Sequence, residues 1–265
     1  REERLRGEVL FVRSIEGGTM RLPDKVVIVT GAASGIGRAT AEECASEGAK
    51  LVLADLATAP GLRELSSLGG PDRPALAVPT DVTRLADCQA LATAAESRWG
   101  RIDALINCAG ILQGAYLSVD DLDEETFQRV VDVNLAGSFR MCKAVVPAMR
   151  RAGRGVVVLI ASGAGVHGGS SSIAYGSSKG AVHGLAMVLE PQLAPAGIRV
   201  NDVCPGSLNT PLKRKNVEDA ARARGQSPEE ALAKANLADP RGVARVLAFL
   251  ASDDAEFVRG SIFTR

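Results

Sequence analysis

Tyr175 and Lys179 are the residues whose types and spacing best suggest acid–base chemistry in this 265-residue chain. Side chains at positions i and i+4 lie on the same face of a helix, so the ammonium of Lys179 can approach the phenolic oxygen of Tyr175. A free tyrosine has a pKa of about 10, and a nearby cation favours the phenolate. At an effective dielectric of about 20, unit charges about 4 Å apart interact by up to about 4 kcal/mol. That attraction predicts a Tyr175 pKa lowered by roughly three units before desolvation opposes it.

Ser162 follows the apolar run GVVVLIA at 155 to 161, so its hydroxyl is expected where a strand ends. Doubly wound α/β folds bind their ligands at the carboxyl edge of the sheet. We therefore expect Ser162 to hold a substrate oxygen. A serine at this place equally suits an ordinary turn.

A glycine-rich segment, TGAASGIG at 30 to 37, lies between the apolar run KVVIV and the helical stretch ATAEECASEG. Glycines allow a tight turn and a close approach of backbone to ligand. The following helix directs unpaired N–H groups and a positive dipole end at a pyrophosphate. This context predicts a dinucleotide site, whereas the glycines alone would fit any turn.

Asp55 ends the second apolar run, KLVLAD, at a spacing after Gly37 that suits a residue binding the adenosine ribose diol. Its carboxylate would repel a 2′-phosphate, and neither Ser34 nor Leu56 supplies a cation to accommodate one. NAD is therefore favoured over NADP. The alternative is a surface aspartate that closes a strand.

Apolar runs alternate with helical stretches along the chain and predict a single-domain, doubly wound parallel α/β sheet of the Rossmann type with helices on both faces. The runs span 25–29, 50–54, 75–78, 103–106, 155–161 and 198–203. Predicted helices span about 35–47, 83–99, 124–150, 174–190 and 240–252. The sequence from 210 to about 236 predicts a helical insertion over one edge of the site, and residues 1–21 are interpreted as an N-terminal extension to a 22–265 domain.

Composition excludes several classes of protein. Lys+Arg and Asp+Glu both number 31, so the formal charge is zero and neither nucleic acid nor an anionic membrane is an expected partner. Five scattered cysteines include no CxxC pair, which argues against a metal site and favours a reducing, cytoplasmic setting. No apolar stretch suggests a membrane span or a signal peptide.

These motifs together resemble the short-chain dehydrogenase/reductase family over about residues 22 to 264. The matching elements are TGAASGIG, Asp55, Asp81-Val82, NCAG at 107–110, Asn134, Ser162, YGSSK at 175–179 and PGSLNT at 205–210. The resemblance implies hydride transfer between NAD(H) and a secondary alcohol or ketone. Catalysis would fall to Asn134, Ser162, Tyr175 and Lys179, with a backbone distortion at Asn134 that holds a water leading from Lys179 to solvent.

The resemblance also implies which residues contact the cofactor. They are Gly31, Ser34, Gly35, Ile36, Gly37, Asp55, Asp81, Val82, Asn107, Ala109, Gly110, Tyr175, Lys179, Pro205, Gly206 and Thr210. Asp81 could alternatively cap a helix. The family resemblance further implies a homo-oligomer, either a tetramer or a dimer, that acts on a small-molecule alcohol or ketone. A non-catalytic NAD-binding regulator and a related isomerase or dehydratase remain as alternatives.

Two features depart from the family pattern. The chain ends at GSIFTR, before the Asp-Gly-Gly segment that usually follows the last strand, which weakens the expectation of a tetramer. Pro191 falls where the Tyr175 helix should continue, so a kink or an early helix end is expected. His183 is interpreted as a packed or capping histidine, and His167 as a loop residue that either borders substrate or is exposed.

Overall fold

The computed structural model describes residues 20–70 and 75–264. In these residues seven parallel strands form one sheet in the order β3-β2-β1-β4-β5-β6-β7. The strands are β1 Val26–Thr30, β2 Lys50–Asp55, β3 Leu76–Pro79, β4 Ala104–Asn107, β5 Gly155–Ile160, β6 Ile198–Cys204 and β7 Gly260–Phe263. The doubly wound parallel sheet is confirmed. β7, a short and half-exposed edge strand, was not among the six predicted runs.

Nine helices connect and cover the described strands. They are α1 Gly35–Ser46, α2 Leu85–Trp99, α3 Glu124–Val131, α4 Gly137–Ala152, α5 Gly163–Val166, α6 Ile173–Leu193, α7 Pro211–Ala223, α8 Pro228–Lys234 and α9 Pro240–Ala251. α7 and α8 form the predicted helical insertion. None of the helices in the described ranges is long and apolar enough to cross a membrane.

Two apolar layers enclose the sheet because successive side chains of a strand point to opposite faces. Val27 and Val29 of β1 belong to the layer that contains α1 and α9, together with Leu247. Val26 and Ile28 belong to the other layer, which contains α2, α4 and α6. Strands buried on both faces explain why the sequence shows continuous apolar runs rather than alternation.

The predicted helix 124–150 is interrupted. Asp132–Ala136 is π-helical and separates α3 from α4. The backbone distortion that the resemblance implied at Asn134 is therefore present in this structure.

Pro191 lies inside α6, which continues to Leu193 before a 3₁₀ turn at Ala194–Ala196. The helix does not stop at the proline, but it ends two residues later. The missing N–H and the steric clash of Pro191 fall at the carbonyl of Met187, so their effect is limited to the last two turns of α6.

The predicted extension lies mostly outside the described residues. Arg21, which the sequence analysis placed in that extension, is bonded to α1: its guanidinium pairs with Glu43 at 3.1 Å and with Glu47 at 2.6 Å. The connection between β2 and β3 contains a 3₁₀ turn at Arg63–Ser67, and residues 71–74 also fall outside the described part.

Register places four strand ends at one edge. Thr30 of β1 pairs with Asn107 of β4, Asn107 with Leu159 of β5, and Ile160 with Val203 of β6. The segments that follow these strands therefore meet around one opening, as Rossmann-type folds require.

Candidate active site

A cavity of about 1760 Å³ opens at the carboxyl edge of the sheet. It is lined by most of the predicted site: Gly31, Ser34, Gly35, Ile36, Gly37, Asp55, Asp81, Val82, Ala109, Gly110, Ser162, Tyr175, Lys179, Pro205, Gly206 and Thr210. Asn107 and Asn134 are the predicted residues that lie behind its wall. One cavity is thus lined by the segments that follow each of the strands β1 to β6.

The glycine-rich loop is packed too closely for side chains at two positions. A Cβ on Gly37 would lie 2.1 Å from the carbonyl oxygen of Gly31, and one on Gly31 would lie 2.9 Å from the amide nitrogen of Ala109. Gly31 also has a φ of +63°, which favours glycine. α1 begins at Gly35, and its first three residues line the cavity. This cradle fits the pyrophosphate of a dinucleotide.

Asp55 ties the end of β2 to that loop. Its Oδ2 accepts a hydrogen bond from the amide of Ala33 at 2.9 Å, and its Oδ1 accepts one from the amide of Leu56 at 2.8 Å. A carboxylate has lone pairs for further donors, so Asp55 can still accept from the two hydroxyls of a ribose.

Asp81 and Val82 line the neighbouring part of the cavity in different ways. Oδ1 of Asp81 accepts from both the amide and the hydroxyl of Thr83, at 2.9 and 2.7 Å. Val82 is buried, and a Cβ on Gly137 would lie 2.8 Å from its side chain. The carboxylate therefore closes a tight turn before α2 without capping that helix, whose N-cap is Arg84, and Val82 supplies an apolar wall.

Asn107 has a structural role that differs from the predicted cofactor contact. Its Oδ1 accepts from the Thr30 hydroxyl at 2.7 Å, and its Nδ2 donates to the Ser138 hydroxyl at 3.0 Å. The Thr30 hydroxyl in turn accepts from the amide of Ala109 at 3.1 Å. Asn107 is buried because its side chain ties β1, β4 and α4 together beneath the cavity floor, and its contact with the cofactor stays a prediction.

Ser162, Tyr175 and Lys179 converge at the middle of the cavity. Tyr175 lies in the first turn of α6. Burial raises its pKa, while a hydrogen bond with Ser162 opposes that rise. Lys179 is buried, and its Nζ donates to the carbonyl oxygen of Ile160 at 2.6 Å. That nitrogen lies 5.8 Å from the centroid of the Tyr175 ring.

The expected pKa of Tyr175 is wrong in direction for this geometry. The i,i+4 spacing predicted the Lys179 ammonium next to the phenolic oxygen, whereas the ammonium bonds to the carbonyl of Ile160 and the largest influence on the pKa of the phenol is desolvation. Burial also lowers the pKa of Lys179 to about 8. The amine is therefore still mostly protonated at neutral pH.

Asn134 is held inside the π-helical segment by three bonds. Its Oδ1 accepts from the amide of Ile111 at 2.8 Å, and its Nδ2 donates to the carbonyl of Ile111 and to the hydroxyl of Ser178, both at 2.9 Å. A Cβ on Gly110 would lie 3.2 Å from Asn134 Oδ1 and 3.4 Å from Lys179 Nζ. Asn134 thus sets the path of the chain after β4, and Gly110 leaves room beside Lys179.

Thr210 joins the wall after β6 to the glycine-rich loop. Its hydroxyl caps α7 by accepting from the amide of Lys213 at 3.2 Å. Its side chain lies 3.3 Å from where a Cβ of Gly35 would be, so a larger residue at either position would separate the two walls. The hydroxyl proton remains available to an acceptor in the cavity.

Ser172 is a site residue that sequence reasoning missed. Its hydroxyl donates to the carbonyl of Gln113 at 2.6 Å and accepts from the amide of Tyr175 at 3.1 Å. A serine three residues before a helical tyrosine is a recognisable N-cap signal. The contact of Ser172 with the segment after β4 cannot be recognised from the sequence, because it joins residues far apart in the chain.

The two histidines lie away from the reacting centre. His183 Nδ1 lies 3.0 Å from Asp202 Oδ2 and 3.0 Å from the hydroxyl of Ser261, which itself donates to Asp202 Oδ1 at 2.5 Å. His183 is therefore the partner of a buried acid and ties α6 to β6 and β7. Ser261 and Asp202 meet the same ring nitrogen, so this group is not a nucleophilic triad, which needs both nitrogens. His167 stacks on Phe263, with ring centroids 4.8 Å apart.

Comparisons with known proteins agree with this geometry. A family model described as "short chain dehydrogenase" matches residues 25–221. Levodione reductase of Leifsonia aquatica is 35% identical over 251 residues, which cover 92% of this chain and 93% of the relative. The 3-oxoacyl-[acyl-carrier-protein] reductase of Thermotoga maritima is 35% identical over 249 residues, with 92% and 96% covered. A crystal structure of levodione reductase superposes with a TM-score of 0.84 at 34% identity, over 92% of this chain and 96% of that one.

Proposed function

This chain belongs to the short-chain dehydrogenase family, and from that premise we propose that it transfers a hydride between NAD(H) and a secondary alcohol or its ketone. The observation that carries the proposal is the convergence of Ser162, Tyr175 and Lys179 in the cavity that the glycine-rich loop also lines. Two similar proteins are named as reductases of a dione and of a 3-oxoacyl group. Both names describe chemistry at a carbonyl carbon.

The proposed proton transfer belongs to Tyr175. Its raised pKa keeps the phenol protonated at neutral pH, so in reduction it can donate a proton to the oxygen of a ketone. Ser162, which hydrogen-bonds the phenol, would hold the same substrate oxygen. In oxidation the phenol must first lose its proton, and the cationic form of Lys179 favours the resulting anion.

Lys179 would also anchor the cofactor. An ammonium has three donors, and one is used on the carbonyl of Ile160, so two remain for the phenol and for a ribose hydroxyl. The bound nicotinamide supplies the hydride acceptor or donor. The protein's part is to fix the reacting carbon and its oxygen beside Tyr175.

We propose NAD rather than NADP as the cofactor. Support comes from Asp55, whose carboxylate is held at the end of β2 by the amides of Ala33 and Leu56. A fixed negative charge there accepts from ribose hydroxyls and repels a 2′-phosphate.

A homo-oligomer in a reducing, cytoplasmic setting completes the proposal. Phe139 of α4 and Met187 and Val188 of α6 are large apolar side chains that are 50%, 60% and 68% exposed. Such residues on neighbouring elements suit a surface between identical subunits. The five cysteines, all within the described residues, are unpaired thiols, which supports the reducing setting.

The test is the absorbance of NADH formed by the purified chain from NAD and a panel of secondary alcohols. Tyr175→Phe should retain NAD binding, measured by protein fluorescence, and should lose turnover by about a thousandfold or more because acid–base catalysis is worth that much. Ser177→Ala is the matched control, since Ser177 is an exposed residue of the same helix. Full activity of Tyr175→Phe would refute the assigned role.

A further inference from the structure

Tyr116 has a backbone conformation that side chains rarely adopt. Its φ is +64°, and in the described residues only Asp24 is another non-glycine with a positive φ. Such a residue carries strain of about 1–3 kcal/mol, and it persists only where the surroundings impose it. Strain of this kind concentrates at ligand-binding positions, so the Tyr116 ring is a candidate ligand contact.

The surroundings that impose this conformation include the start of α6, the helix that carries Tyr175. The amide of Tyr116 donates to the carbonyl of Ser171 at 2.6 Å, and Ala115 forms an antiparallel bridge with Ser172. Ser172 is the N-cap of α6 and bonds the amide of Tyr175. Tyr116 is therefore held at a fixed position relative to Tyr175.

The ring of Tyr116 forms part of the cavity surface. The residue is 42% exposed, and the guanidinium of Arg224, at the end of α7, lies 5.9 Å from the ring centroid. Other apolar residues line the same cavity: Leu112, Leu117, Leu208 and Leu212. Tyr116 and these leucines line the same cavity as Tyr175, so the ring offers a flat apolar surface within that cavity.

We propose that this surface, formed by the Tyr116 ring, selects alicyclic secondary alcohols and ketones, whose ring packs on it. The inference rests on the proposed function, because it names the substrate class of the same site. A rigid alicyclic ring gains from covering the aromatic face and loses little conformational freedom on binding. A short acyclic alcohol gains neither advantage.

The test compares two probes, cyclohexanol and isopropanol, by the ratio of their kcat/KM values with NAD. Tyr116→Ala and Tyr116→Gly should both lower the cyclohexanol-to-isopropanol ratio about tenfold, since an aromatic packing contact is worth about that factor. Tyr116→Gly removes the ring and relieves the strain, because glycine adopts a positive φ freely. Val119→Ala is the control, an exposed residue of the same loop outside the cavity lining, and should leave the ratio unchanged.

A binding measurement separates failure of this inference from failure of the proposed function. Ligand-observed NMR titration of the NAD-loaded protein should give tighter binding of cyclohexanone than of acetone, and both Tyr116 variants should lose the difference. Turnover of both alcohols with equal efficiency would leave the proposed function standing and overturn the ring surface. Tighter binding of cyclohexanone than of acetone, without turnover of either alcohol, would support the ring surface and overturn the proposed function. A ratio that Tyr116→Gly leaves unchanged would overturn the role of the ring.

Discussion

The two ends of the cavity are built by different means. At the end lined by the glycine-rich loop, where we propose that the cofactor phosphates bind (the phosphate end), the shape comes from backbone, because Gly31 and Gly37 leave no space for a Cβ. At the end lined by Ser171 and Asn216, where we propose that the substrate binds (the substrate end), the shape comes from side chains that join separate loops: Asn216 of α7 donates to the Ser171 hydroxyl at 2.9 Å. The first end needs a short stretch of chain, and the second needs several distant segments in place. Substitutions at the two ends should therefore change different binding constants.

The largest expected effect is that of Gly37→Ala on cofactor binding. The added Cβ would meet the Gly31 carbonyl at 2.1 Å, so the loop must shift and NAD affinity should fall by about a thousandfold, which corresponds to about 4 kcal/mol. Isothermal titration calorimetry with NAD measures it. Gly184→Ala is the control, because an added Cβ there has nothing within 4 Å and helical glycine-to-alanine changes usually stabilise. Equal NAD affinity in both variants would contradict the backbone-built description.

Lys179 stands between the two ends, and its burial predicts a dependence of stability on pH. Its pKa is lowered to about 8 in the folded state, against about 10.4 unfolded, so the unfolded chain binds more protons between these values. Stability should therefore rise as pH increases from about 8 to 10.4, relative to Lys179→Met, by on the order of 2 kcal/mol. Urea denaturation of both proteins at the two pH limits measures the difference. Parallel stability curves for the two proteins would show that the amine is not desolvated.

Replacement of Asp55 by Ser should relax cofactor choice. Without the fixed carboxylate, the preference for NADH over NADPH should fall about tenfold, because one ribose acceptor and one repulsive charge are removed. Dissociation constants for the two reduced cofactors, from their fluorescence, give the ratio. The KM of the ketone serves as the internal control and should not move, since Asp55 lies at the other end of the cavity. An unchanged cofactor ratio would remove the argument for NAD.

The smallest expected effect is at the substrate end. Asn216→Ala removes the bond to Ser171 and should raise the KM of a ketone about threefold while NAD affinity stays the same. Steady-state kinetics with each substrate varied in turn measures both. Lys215→Ala, on the exposed face of the same helix, is the control. A double variant with Ser171→Ala should cost no more than Asn216→Ala alone, and additive effects would show that the bond does not act across the two loops.

The sequence predicted much of the fold and the grouping of the glycine-rich loop with Asp55 in one cavity, for a physical reason. Buried parallel strands leave continuous apolar runs, and Gly31, Gly37 and Asp55 act within short stretches of chain whose order alone reveals them. β7 was missed because a short edge strand with half-exposed side chains leaves no such run.

The substrate end was predicted less well because its contacts cross the chain. The bonds from Ser172 to Gln113 and from Asn216 to Ser171 join residues far apart in sequence. The pKa of Tyr175 was misjudged for a related reason. The i,i+4 spacing places Lys179 on the right face of α6, but it does not reveal that the ammonium bonds to Ile160 on β5.

The π-helical turn at Asp132–Ala136 also constrains how this chain can change in length. A π turn holds one more residue than an α turn, and each residue of a helix advances about 100° around the axis. Deletion of a single residue there would restore a regular α-helix, yet it would rotate everything beyond it by that angle. Met141, Val145 and Met149, which α4 now buries against the sheet, would turn away from the core. A locally more regular helix would then be incompatible with the fold. The extra residue of the π turn sets the rotation of α4 about its axis, so that Asn134 can face the site while the apolar side chains of α4 face the core.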